Sequence, residues 1–265
     1  MKRFMIAVAL LACACTPPAA ENPTTGASQE PTLPPVSLPV ADLAGNRMEA
    51  LAQNGARWCT GDGAWCAAPG ETNVTVTRGD QNAGTIGIAD LPEGDEWAVW
   101  PRIVRLGRDD TSALVGVTRL TRQMYSGGGG EATQLVLYEV SNGVAREVLR
   151  MPLGASSMIR ACFDEDDEQQ RAGACHDQYE FVTRISLDED VSDGAPRIML
   201  ETAAGSFPGL LTRSADSNER PALTEADLVW AQSEACSYRR TYTRGADGLY
   251  MPNQPLPACA DYLEP

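Results

Sequence analysis

Two Asp-Gly dipeptides, each midway between a pair of cysteines, limit what this chain can fold into more than any other feature. Asp-Gly at the tip of a two-residue hairpin supplies the positive φ angles of a type I′ turn. In Trp58-Cys59-Thr60-Gly61-Asp62-Gly63-Ala64-Trp65-Cys66, a tip at Asp62-Gly63 pairs Thr60 with Trp65 and Cys59 with Cys66. Directly opposed residues on antiparallel strands have Cα atoms about 4.5–5.5 Å apart, within reach of a disulfide. A tip at Asp247-Gly248 likewise sets Ala246 against Leu249 and, at the open end of a long hairpin, Cys236 against Cys259. Pro252, Pro255 and Pro257 confine its second arm to a sheet edge or an irregular strand. The remaining pair, Cys162 and Cys175, brackets the acidic stretch Phe163–Ala174 and reads as a staple across a surface loop. The expected disulfides are therefore Cys59–Cys66, Cys162–Cys175 and Cys236–Cys259.

The rest of residues 40–265 repeats the β pattern. Alternating or apolar runs occupy residues 73–78, 84–89, 97–107, 113–125, 134–140, 144–151, 179–187 and 197–202. Asn142-Gly143 is a further I′ signal, which sets Glu139 opposite Arg146. Strands at this spacing predict a single all-β domain, mainly an antiparallel sandwich or an irregular β assembly. A small propeller also satisfies the spacing. One or two short helices are expected. One follows Asn46, with Glu49 three residues on, Met48, Leu51 and Ala52 on one face and Gly55 at its end; the other starts at Thr224.

The amino terminus gives the compartment. Met1-Lys2-Arg3 precedes an apolar run, Phe4–Ala12, the layout of a secretory signal peptide and too short to span a bilayer. The run ends Leu10-Leu11-Ala12-Cys13-Ala14-Cys15. This resembles the lipobox of bacterial lipoproteins, in which the chain is cut before a cysteine that becomes diacylated. Cys13 has Leu10 three residues upstream; Cys15 gives a more usual signal length but has Ala12 there. Ordinary cleavage at Ala12-Cys13-Ala14 is the rival reading. Residues 1–14 are read as the signal and 15–39 as a proline-rich, disordered tether, with seven prolines and no aromatic residue between 16 and 39. The resemblance implies a membrane partner, through the lipid anchor, and a place in the cell envelope facing the periplasm. Neither cysteine is followed by Asp, which in the lipoprotein pattern points to the outer membrane over the inner.

The formal charge is −15, and loss of Lys2 and Arg3 takes it two units further, with every remaining basic residue an arginine. Phosphate backbones and anionic lipid repel such a chain, so no nucleic-acid partner is expected. Lysine nucleophiles and P-loop lysines are excluded from the exported part. The single histidine, His176, beside Cys175, reads as a polar neighbour of a disulfide, because Gly154-Ala155-Ser156-Ser157-Met158 lacks the closing glycine of a nucleophile elbow. Ser126-Gly127-Gly128-Gly129-Gly130 lacks the lysine of a phosphate loop and reads as a flexible hairpin connection, kept as a weak site candidate. Asp188, Asp190 and Ser192 approach a calcium loop, but Gly194 falls one place late and Met199 replaces the bidentate Glu. Asp164–Glu168 is dense in carboxylates without ligand spacing. No catalytic residue, metal site or cofactor is assigned. The expectation is a non-catalytic module that binds an envelope protein or polymer; the alternatives are a hydrolase using paired carboxylates and an inhibitor of a lytic enzyme such as lysozyme.

Overall fold

A computed structural model of the chain describes residues 29–88, 92, 94–216 and 219–265. The signal segment, Cys13, Cys15 and the first part of the tether lie outside the described residues. The domain is mostly β, in two antiparallel sheets, with no closed barrel. Along the chain the strands are β1 (Val40–Ala41), β2 (Arg47–Ala50), β3 (Ala52–Asn54), β4 (Arg57–Cys59), β5 (Trp65–Pro69), β6 (Asn73–Arg78), β7 (Gln81–Gly87), β8 (Glu96–Leu106), β9 (Ser112–Tyr125) and β10 (Gly128–Ser141). There follow β11 (Val144–Arg160), the helix α1 (Glu165–Gln170), β12 (His176–Leu187), β13 (Ile198–Phe207), β14 (Ala231–Gln232), β15 (Arg239–Arg244), β16 (Tyr250–Pro252) and the helix α2 (Ala260–Leu263). The large sheet runs β1-β2-β8-β9-β10-β11-β12-β13-β15-β16, with β14 beside β13; the small one runs β3 to β7 in order.

Bulges bend the large sheet around its core. The register between β10 and β11 shifts at Thr133/Gln134 and again at Leu137/Tyr138, and an extra residue sharpens local twist. The curled sheet encloses one core built on Met48, Trp100, Leu114, Leu135, Leu137, Met151, Ile185, Leu200 and Tyr242. A second core, with Trp65, Val74, Val76, Ile86, Ile103 and Val115, lies between the two sheets. A third, with Tyr179, Phe181, Leu211 and Tyr262, covers one side of the far ends of β11–β13.

The three disulfides join the expected partners, with Cα separations of 4.1, 4.8 and 5.8 Å for Cys59–Cys66, Cys162–Cys175 and Cys236–Cys259. Two turns differ from expectation. Cys59 does face Cys66, but through a four-residue loop: Gly63 N–H bonds Thr60 O at 2.9 Å, and of Asp62 and Gly63 only Gly63 has positive φ. Lengthening the loop by one residue on each side leaves the pairing unchanged. At the other hairpin the register moves by one, to Tyr242 opposite Pro252 and Arg244 opposite Tyr250. Gly245 N–H bonds Leu249 O, which leaves three residues in the loop. At Asn142-Gly143 the I′ turn forms as expected, both residues having positive φ and Glu139 facing Arg146.

In place of the expected helix after Asn46, the chain forms β2 (Arg47–Ala50) and β3 (Ala52–Asn54). Asn46 ties a turn: its N–H and Nδ2 bond Asp42 at 2.8 Å each, Nδ2 bonds Gly194 O at 3.0 Å, and Oδ1 accepts from Gly107 N–H at 2.9 Å. Met48 and Leu51, spaced like one helical face, enter different cores. Thr224 begins a single 3-10 turn (Glu225–Asp227) rather than a longer helix, its hydroxyl and N–H both held by Asp227. No helix among the described residues is long and apolar enough to cross a membrane.

Beside the core that the two sheets share, a buried arginine adds a polar link between them. Arg105 on β8 reaches Asp110 through two hydrogen bonds, Asp62 at 2.8 Å and Glu49 at 3.6 Å. Trp65 of the small sheet donates Nε1–H to the same Asp110 at 2.9 Å. Hydrogen bonds from Thr60 and Arg105 hold the Asp62 carboxyl far below the usual range.

Candidate functional site

The polar features that stood apart in the sequence meet at one end of the large sheet. β11 stops at Arg160, and Ala161 N–H bonds Cys175 O at 2.9 Å, which brings the two cysteines together. Asp164 caps α1 by accepting Asp167 N–H at 2.9 Å, and Phe163 N–H returns to Asp167 Oδ2 at 2.8 Å. Arg171, just past the helix, turns inward to Asp177, and both are buried. This ion pair fixes the acidic loop from beneath; breaking such a pair costs more than the pair contributes. His176 begins β12, opposite Arg160. Arg160, Phe163, Asp164, Glu165, Glu168, His176 and the Cys162–Cys175 bond line a hollow of about 430 Å³. The Arg160 guanidinium lies 5.2 Å from the Phe163 ring centroid, and its backbone N–H bonds Gly127 O at 2.6 Å. Phe163 nevertheless remains 68% exposed.

The sheet face continuing from this hollow carries two further rows. In the first, Met124, Gly129, Met158, Gln178 and Phe207 are successive neighbours across β9 to β13. Trp230 lies against Phe207, ring centroids 6.0 Å apart. Met124 is 81% and Met158 45% exposed. The second row is Arg122, Glu131, Ser156, Glu180 and Gly205. Pro31, from the segment read as tether, lies on Gly205, where a Cβ would meet its ring at 2.7 Å. Glu180 is half-buried. Desolvation, with Glu30 and Glu131 repelling its charge, pushes its carboxyl up to about 7. Glu131 pairs with Arg122 at 3.4 Å.

A second cavity, of about 370 Å³, lies between the C-terminal segment and β9–β11, lined among others by Arg119, Gln134, Tyr238, Leu256, Leu263 and Pro265. Arg119 is engaged by Asp95 at 2.7 Å, and burial raises the Tyr238 hydroxyl above its ordinary value.

Other residues singled out in the sequence serve packing. The Gly-rich run turns the chain only at Ser126-Gly127, since Tyr125 already pairs with Gly128. Gly128 to Gly130 are strand residues that admit close neighbours: a Cβ on Gly128 would meet Met158 O, and on Gly130 the backbone of Pro265 at 2.8 Å. Asp188 accepts from Arg197 at 2.8 Å, and the loop it begins is docked by Ala44 N–H on Val191 O at 2.8 Å. Ser157 accepts a hydrogen bond from Arg213. Sequence reasoning missed Phe163, Met124 and Met158 as surface residues. Phe163, the one large apolar side chain in the acidic stretch between Cys162 and Cys175, was the available signal.

No protein family, no curated protein and no solved structure matches this chain.

Proposed function

We propose that this chain is an exported, lipid-anchored protein of the bacterial cell envelope whose β domain is a binding module facing the periplasm. The lipobox-like segment ending at Cys13 or Cys15 supports the anchor and its outer-membrane sorting. Three disulfides suit an oxidising compartment. The observation that carries the binding role is the exposed pair Met158 and Met124 on one sheet face, with exposed Phe163 in the loop beyond Arg160 at its end. Contiguous exposed apolar side chains rimmed by polar ones mark interaction sites, and methionine adapts to partners of varied shape. Metabolic labelling with a palmitate analogue tests the anchor: label that survives Cys15→Ser but not Cys13→Ser assigns Cys13, the converse assigns Cys15, and no label on the wild type rejects lipidation. A photocrosslinker at Phe163 tests the module against one at exposed Val144. A defined adduct from Phe163 alone is expected; equal capture at both positions refutes the role of this face.

One observation favours a second reading, a hydrolase of envelope glycan. Glu131 and Glu180 share a face with their backbones two strands apart, about 10 Å, a little above the carboxyl spacing of about 6.5–9.5 Å used by inverting glycosidases. Glu180, retaining its proton near neutrality, would be the acid and Glu131 the base. Release of reducing ends from peptidoglycan by the wild type and not by Glu180→Gln is the required result; equal release sinks it.

A further inference from the structure

Resting on the binding reading, we propose that the partner is a protein with a cationic surface around an apolar side chain, seated on the Phe163–Met158–Met124 face. Charge complementarity points to such a partner. Above the apolar row lie Asp164, Glu165, Asp166, Asp167 and Glu168; below it lie Glu131, Glu180 and, from the N-terminal segment, Glu30. Against these eight carboxyls the face offers Arg122, already paired with Glu96 and Glu131, and Arg160, placed over Phe163 with Nε donating to Cys162 O at 2.6 Å. The surface is therefore apolar at its centre and negative at both margins. An acidic protein or an anionic lipid surface would meet repulsion there, whereas lysine or arginine side chains would find partners on both sides of a buried anchor.

The anionic margin is not fully charged at neutrality. Glu180 faces Ser156 on β11, Gly205 on β13, Glu131 on β10 with its partner Arg122, and Glu30 with Pro31 on the crossing segment. Burial first, then repulsion from Glu30 and Glu131, makes it hold a proton where an ordinary carboxyl would not. A cationic partner favours the ionised form, so binding releases a proton and tightens as pH rises through about 7.

Fluorescence anisotropy with synthetic peptide probes tests this on the full exported chain. The probes are an amphipathic Lys/Leu helix, a Lys/Gly peptide of equal charge, and a Glu/Leu helix. Expected are binding of Lys/Leu about tenfold or more tighter than Lys/Gly, no binding of Glu/Leu, and loss of about tenfold on Phe163→Ser/Met158→Ser. Glu180→Gln should flatten the pH dependence between pH 6 and 8. Equal affinity for Lys/Leu and Lys/Gly, or an unaffected double variant, overturns the proposal by reducing binding to diffuse charge. If the Phe163 crosslink instead identifies an acidic protein, the partner chemistry is wrong while the binding module stands.

Discussion

Replacing Arg105 with methionine should loosen the small sheet from the large one. The Arg105 side chain is 11% exposed, and its partners Asp110 and Glu49 are 19% and 16% exposed, while Asp62 is 51% exposed. Removing the cation strands the Asp110 carboxylate, which keeps only Trp65 Nε1–H as donor among the groups joining the sheets here. Breaking a buried pair costs about 3–5 kcal/mol, and Asp62, half in solvent, adds less than about 1. Partial exposure of Asp110 places the expected loss at the lower end, about 3 kcal/mol. For a domain of this size that lowers Tm by about 6–12 °C. Thermal unfolding by circular dichroism, with amide exchange over β4–β7, reads both the loss and its location. Asp110→Asn added to Arg105→Met should recover part of the loss, because no unpaired carboxylate then remains. A loss under about 1 kcal/mol, or strictly additive effects of the two changes, would refute the hub.

Glu180→Gln should stabilise the domain at pH 8 and leave it unchanged at pH 4: the native state holds this proton more tightly than the unfolded chain, so wild-type stability falls as pH rises from the ordinary carboxylate value through about 7. Discounted for solvent at a half-buried site, the gain is about 1–2 kcal/mol; urea titrations at both pH values would show it, and equal effects at both would contradict the raised proton affinity. Cys162→Ser/Cys175→Ser releases a loop of separation 13, worth about 3 kcal/mol on the chain-entropy model, and amide exchange should rise first across α1. Protection of α1 unchanged from wild type would show that the Arg171–Asp177 pair holds the loop by itself. Gly116→Ala places a methyl 2.8 Å from Trp100 Cβ and 2.9 Å from Leu135 Cδ1, so a destabilisation of about 1–3 kcal/mol is expected in denaturant melts; a neutral variant would mean that the core yields there.

Local chemistry made the disulfides and the Asn142-Gly143 turn readable, because hairpin symmetry relates residues a few positions apart. The same logic misjudged the Asp62 and Asp247 tips, since Asp-Gly also suits longer loops with glycine alone at positive φ. The Asn46 helix failed for a different reason. A three-residue spacing of apolar side chains cannot say whether Met48 and Leu51 share a helical face or serve two cores, and only the second sheet decides it. The site was legible in parts: the acidic stretch, the cysteines flanking it and His176 beside the second of them were marked. Their neighbours were not, because Met124 and Met158 come onto one face only through pairing across β9–β11, and Phe163 meets Arg160 only in the loop that the Cys162–Cys175 bond closes, relations that no local pattern encodes.

The lengths of the central strands explain why that face is open. β9 and β10 have 14 residues each and β11 has 17, which at about 3.3 Å per residue reach roughly 45–55 Å, more than one core spans. On β10, Leu135 and Leu137 enter the curled core, whereas Glu131, two and three pleats further along the same side, does not. The far ends therefore need other cover. On one side Tyr262 of α2 and Leu211 supply it. On the other, among the described residues, the crossing segment at Pro31 lies on Gly205 of β13 and Trp230 lies against Phe207, while Met158 on β11 and Met124 on β9 remain exposed. Long strands that hold exposed methionines in register, without a covering layer of their own, are costly to keep in water unless a second surface completes them. The acidic margins then restrict which surface that is, and this selectivity, more than affinity, is what Glu131 and Glu180 would contribute.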